Sequence, residues 1–270
     1  MGDIIKQKHY CPNRAANCVV FFVFYISNLS LILAFMYRDY AIPLEIVREE
    51  ITLSLVRDGE HLLYRSVCAD KRVEKILLAS TGKVLINPIE PVNKPKELTP
   101  YLLVEFDRTL MVEPGATRTI FITYPIEIGV FIAQGNHGDL LDILTLVKQK
   151  FTLYGDPRSG VICKYWRSEV NSSIPAVNPL REGVIELSIT NTTGGWVEVT
   201  QAIFNAYGMK IYYNNELVSM RATMKIMSRT LAETDFVNAP LQEGMKKSSE
   251  LYTARKLPVV GTKFVMEVGI

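Results

Sequence analysis

Histidine, cysteine and tryptophan are scarce in this chain. Its 270 residues include three histidines (His9, His61, His137), four cysteines (Cys11, Cys18, Cys68, Cys163) and two tryptophans. No cysteine forms a CxxC pair or stands near a histidine at zinc-site spacing. The sequence therefore predicts no bound metal and no cofactor. The cysteines read as buried or free thiols, and a Cys68–Cys163 disulfide would require a compartment outside the reducing cytoplasm. No run of Lys or Arg exceeds two residues, and the net charge is only +2. Lys6, Lys8 and Arg14 against Asp3 account for that excess, so the rest of the chain is neutral. A neutral body has no overall field to attract phosphate backbones, which argues against nucleic acid as a partner.

Catalytic signatures are missing as well. There is no Rossmann glycine fingerprint and no GxSxG nucleophile elbow. Gly155 and Gly160 share the spacing of the first two P-loop glycines, but Val161 and Ile162 stand where Lys and Ser or Thr are required. Asp156-Pro157 reads there as a turn. Carboxylate pairs such as Glu49-Glu50 are easy to find, but nothing in the sequence makes any of them converge in a cleft.

What the chain does have is apolar content, 48% against 21% charged residues, enough for a packed core. Much of it alternates with period two, as strands with one buried face require. Ile51, Leu53 and Leu55 alternate with Thr52 and Ser54; Asp58-Gly59 offers a hairpin turn, and a return strand follows over residues 61–68. Ile120, Ile122 and Tyr124 follow the turn at Pro114-Gly115, and Pro125 divides them from a strand carrying Ile126, Ile128, Val130 and Ile132. Ile185, Leu187 and Ile189 form another face, with a loop over residues 191–195 before a strand opened by Trp196. After Asn214-Asn215, Met220, Ala222, Met224 and Ile226 face one way and Ser219, Arg221, Thr223 and Lys225 the other.

Helix signals are few. Leu140, Ile143, Leu144, Val147 and Phe151 fit a helical stripe capped by Asp139, or alternatively a buried strand. Residues 240–254 could hold one short helix. The fold class expected is mainly β: two tandem β-sandwich-like domains with few short helices. They would cover residues 38–135 and 161–270, joined by a connecting segment at 136–160. Residues 91–100 read as a shorter connection between strands.

The run that opens at Cys18 and closes at Tyr37, CVVFFVFYISNLSLILAFMY, contains no charge and is about long enough to cross a bilayer as a helix. If residues 1–35 are translated, this run is an uncleaved single span. The preceding basic residues then hold the N-terminus inside and the body outside. If translation starts at Met36, the body is cytoplasmic and carries no anchor.

Candidate site residues are few. Gly135-Asn136-His137-Gly138-Asp139 resembles the Gly-Asn-His-Asp/Glu turn of metal-dependent phosphoesterases, which places His137, Asp139 and Asp142 as catalytic candidates. Three histidines and no Asp-x-His cannot supply the usual ligand set, and the plainer reading is a loop whose Asp139 caps the next element. Trp166 and Trp196, with Tyr165, Tyr212 and Tyr213, could line a ligand-stacking surface or fill the core. Asn171 and Asn191 each begin a glycosylation triplet, which matters only if the body is extracytoplasmic.

The segments FTLYGDPRSGVICKYW, GVIELSITNTTGGWVEV, IYYNNELVSMRATMKI and LQEGMKKSSELYT resemble an archaeal family, domain of unknown function 432, from about residue 37 to residue 270. That resemblance implies no activity and no site residue. The functional expectation is a non-enzymatic β-sandwich module that binds a partner protein or membrane component. The alternative is a hydrolase or carbohydrate-binding module, with its site near residues 135–139 or at the tryptophans.

Overall fold

A computed structural model describes residues 36–48, 50–79, 82–91, 99–134, 137–249 and 261–270. The expected span at residues 18–35 lies outside them; among the described residues, no helix is long and apolar enough to cross a membrane. Tyr37, the last residue of the apolar run, belongs to the compact unit formed by residues 37–270. Its hydroxyl donates to the Pro179 carbonyl at 2.7 Å, and its ring meets Tyr213 edge-on at 5.6 Å.

The fold is mainly β, as expected, with a single 3₁₀ turn at Ala206–Gly208 among the described residues. Four sheets sort into two pairs. Sheet A has the order β1 (Arg38–Ala41), β6 (Lys83–Ile89), β9 (Glu127–Gln134), β10 (His137–Leu144). Sheet B is the meander β2 (Leu44–Arg48), β3 (Ile51–Asp58), β4 (His61–Cys68), β5 (Lys71–Leu77). Tyr64 and Ser66 of β4 hydrogen-bond Asp142 of β10 and so link the two, and Leu53, Leu55, Tyr64, Ile86 and Val130 are fully buried. The β3–β4 turn sits where the sequence places it, with Gly59 at φ 61°, a conformation that costs glycine nothing.

Sheet C has the order β11 (Phe151–Tyr154), β12 (Val161–Ser168), β7 (Tyr101–Val112), β14 (Val197–Asn205). Sheet D centres on β13 (Glu182–Asn191), between β8 (Thr117–Pro125) and β16 (Val218–Ile226). β15 (Tyr212–Tyr213) and β17 (Ala232–Val237) share the far side of β16; β18 (Lys246–Lys247) lies beside β15 and β19 (Phe264–Met266) beside β17. Ile185, Leu187, Met220 and Met224 are buried on the faces the alternation assigned, and Phe204 of β14 packs against Phe236 of β17 at 5.4 Å.

Three expectations change. Strands from both sides of residues 136–160 share sheets C and D, because β7 and β8 pair with β12, β14 and β13. The chain thus passes from A and B into C and D, back to A, and returns, so the strands do not sort into tandem blocks at 136–160. Backbone pairing is a long-range choice that local alternation does not reveal. The second change is that the stripe from Leu140 to Phe151 is not helical: Leu140, Ile143 and Leu144 lie in β10, in line with the strand alternative, Val147 lies in the bend that follows, and Phe151 opens β11. The apparent helical spacing arises at a bulge between Leu140 and Asp142, where one extra residue resets the alternation. The third is that residues 240–249 contain no helix.

A buried ion pair ties the two sheet pairs together. Lys164 Nζ of β12 lies 3.0 Å from Glu127 Oε1 of β9, with side chains 4% and 1% exposed. Gln149 Nε2 donates to the same oxygen at 3.0 Å.

Candidate functional site

The sequence-predicted residues do not gather. His137 opens β10 opposite Gln134. Asp139 is exposed, whereas Asp142, beyond the bulge, is buried. Tyr64 and Ser66 donate to Asp142 Oδ2 at 3.0 and 2.7 Å, and the Ile143 amide donates to Oδ1 at 2.8 Å. Asp142 is thus an acceptor between sheets A and B. Burial, and then the Asp142 charge, push the Tyr64 phenol well above its ordinary range. Among the described residues, no three His, Cys, Asp or Glu side chains assemble as a metal site.

The tryptophans part as well. Trp166 is half-buried, and its indole N–H donates to Thr123 Oγ1 of β8 at 2.9 Å, so it fills the space between sheets C and D. Tyr212 and Tyr213 are buried. Trp196 is 56% exposed, immediately before β14. Cys68 and Cys163 are buried free thiols. Burial pushes the Cys163 thiol up to about 12. Asn191 is fully buried and its Nδ2 donates to the Val112 and Gly195 carbonyls, so it offers no glycosylation acceptor in the folded chain.

The site that does form lies on β7. Leu110 pairs with Val199 of β14 and Glu105 pairs with Gln201, so residues 106–109 of β7 stand opposite Thr200 alone. A bulge re-aims side chains and interrupts the ladder. It opens where β12, the other neighbour of β7, ends at Ser168, and the Val170 amide donates to Asp107 Oδ1 at 3.0 Å. The result is an open, polar cleft of about 380 Å³, bordered by Glu105, Asp107, Arg108, Arg167, Thr200 and Gln201.

Electrostatics divide these groups. Arg108 and Asp107 pair at 3.1 Å. Its hydrogen bond from Arg108 holds the Asp107 carboxyl below the usual carboxylate range, and Asp107 holds the guanidinium above its own. Glu105 Oε2 accepts from the Tyr165 hydroxyl at 3.1 Å. Burial, then that bond, push the Tyr165 phenol up. Arg167 sits beside Glu105 in the β12–β7 register, yet its guanidinium makes no hydrogen bond or ion pair with any described residue.

The cleft lies on the face of sheet C turned away from sheet D. Ala202 and Phe204 are buried toward D, so Gln201 points outward by strand alternation. Val197 and Val199 are buried too, which turns Glu198 outward with its register partner Met111, 54% exposed. By the same alternation Trp196 shares this face. The other end of the face is covered up to Thr200: Phe264 packs tilted against Tyr101 at 4.9 Å, and the Ile270 carbonyl accepts from the Thr200 amide at 3.2 Å and from its hydroxyl at 3.1 Å. Sequence reasoning missed the cleft. Its one signal was four polar residues, Glu105, Asp107, Arg108 and Thr109, within five positions of an otherwise apolar strand.

No curated protein and no solved structure matches the chain. The model of the family described as Protein of unknown function (DUF432) matches residues 36–267, and the chain belongs to that family.

Proposed function

We propose that the protein is a non-enzymatic binding module whose ligand seats on the open half of the outer face of sheet C. The observation that carries this reading is Arg167, a cation in a cleft whose neighbouring Arg108 is already paired. A ligand acceptor group there would complete a charge-assisted hydrogen bond. The cleft border has no His, Cys or Ser, and its Thr200 hydroxyl already donates to the Ile270 carbonyl at 3.1 Å. Asp107, held low by Arg108, is ionised at neutral pH and cannot serve as a general acid.

A thermal-shift screen of wild type and Arg167→Ala against a mixed library of sugars, nucleotides, carboxylates and peptides tests the proposal. At least one compound should raise the wild-type melting temperature and lose that effect in the variant. Shifts that are equal in both proteins, or catalytic turnover of a compound dependent on Arg167, would contradict it. If residues 1–35 are translated, their apolar run would hold this module at a membrane. Recovery of the full-length chain in a carbonate-resistant membrane fraction supports that attachment, and a wholly soluble full-length chain excludes it.

A further inference from the structure

We infer that the ligand of this face is a neutral oligosaccharide, a conclusion that rests on the binding-module reading above. Charge is the first argument. The cleft sets Glu105 and Asp107 against Arg108 and Arg167, so its formal charge is zero. An anionic ligand drawn to Arg167 would meet the Glu105 carboxylate beside it, and a cationic one drawn to Glu105 would meet Arg167. A ligand without net charge satisfies both.

Hydrogen-bonding capacity is the second argument. Arg167 donates, Glu105 accepts, the Gln201 amide does both, and the Thr200 hydroxyl, which already donates to the Ile270 carbonyl at 3.1 Å, keeps its lone pairs as acceptors. A sugar hydroxyl also donates and accepts, so a row of hydroxyls can engage every one of these groups. The third is the apolar platform on the same face. Trp196 and Met111 are both more than half exposed, which leaves an indole free to carry the C–H face of a pyranose. At about 3.3 Å per residue, Trp196 lies roughly 13 Å along β14 from Thr200. That separation exceeds one sugar ring, so the match is to an oligosaccharide with one ring on the indole and another in the cleft. Trp196, Arg167 and Thr200 are all exposed, so no rearrangement of the core is needed for access.

An array of neutral and acidic oligosaccharides, followed by calorimetric titration of the best neutral binder, tests the inference. Arg167→Ala should weaken binding roughly tenfold or more, as expected when a hydrogen bond to a charged group is lost. Trp196→Ala should weaken it roughly three- to tenfold. Both variants should keep the wild-type melting temperature, which excludes unfolding as the cause. Binding confined to acidic glycans or acidic peptides and abolished by Arg167→Ala would overturn the neutral-sugar assignment while keeping the binding module. Neutral binding indifferent to both substitutions would overturn the location and, with it, the proposed module surface. An array with no binder would overturn the sugar assignment alone, and the library screen of other ligand classes would then decide the module.

Discussion

Asp142 and Arg167 are both charged residues carried by strands, next to a strand bulge or opposite one, and the fold treats them in opposite ways. Asp142 lies 4% exposed between sheets A and B, with two hydroxyls and an amide directed at its carboxylate. Arg167 lies at a solvent-open cleft with no such partner among the described residues. Asp142, a catalytic candidate in the sequence, accepts hydrogen bonds from within the fold, and Arg167, which drew no notice there, has its side chain exposed at the cleft. Charge type and sequence neighbours do not separate these cases; the supply of partners does. A buried charge must be matched within the fold, whereas an exposed one can wait for a ligand.

The largest effects are expected at the buried charges. Lys164→Ala strips the cation from Glu127 between the sheet pairs and should cost about 3–5 kcal/mol in chemical denaturation, the range for breaking a buried pair. A loss no larger than a typical surface substitution would mean that water reaches this junction. Asp142→Ala leaves the Tyr64 and Ser66 hydroxyls without their acceptor and should cost about 2–4 kcal/mol, with no change in ligand binding on sheet C. If stability held and an activity vanished, the phosphoesterase reading would return.

Smaller effects are expected at Ala69 and at the two buried thiols. Ala69, in the β4–β5 turn, has φ 50°, a conformation unfavourable for a side chain with a Cβ. Ala69→Gly should stabilise the chain by about 1 kcal/mol, and a loss would show that the alanine methyl makes a contact worth more than the strain. The buried thiols should be the slowest to react. Burial raises both pKa values, Cys163 up to about 12, so at pH 8 neither forms much of the reactive thiolate. Peptide mapping after brief alkylation should find Cys68 and Cys163 unmodified in the native protein and modified in denaturant. Rapid native labelling of Cys163 would place it near solvent.

Much of the strand inventory was legible because alternation is a local property. The β3–β4 hairpin, the division at Pro125, and the buried faces of β13 and β16 all follow from residues a few positions apart. The interleaving of β7 and β8 with strands beyond residue 161 was not legible, since pairing is decided by partners far along the chain. Bulges hid the rest. One in β10 mimicked helical spacing around Leu140, and the one in β7 looked like an ordinary polar interruption. Of the candidate site residues, Trp196 shares a face with the cleft, and Tyr165 donates to Glu105 at its border. Arg167 carries no mark in the sequence, because what distinguishes it is a missing partner.

The most direct test measures Arg167→Ala and Asp142→Ala side by side for both stability and ligand binding. The effects should cross. Arg167→Ala should leave stability within about 0.5 kcal/mol of wild type and remove most of the affinity for the ligand found by screening. Asp142→Ala should lower stability severalfold more than that and leave the folded fraction binding normally. The account is contradicted if Arg167→Ala binds like wild type, or if Asp142→Ala keeps its stability and loses binding.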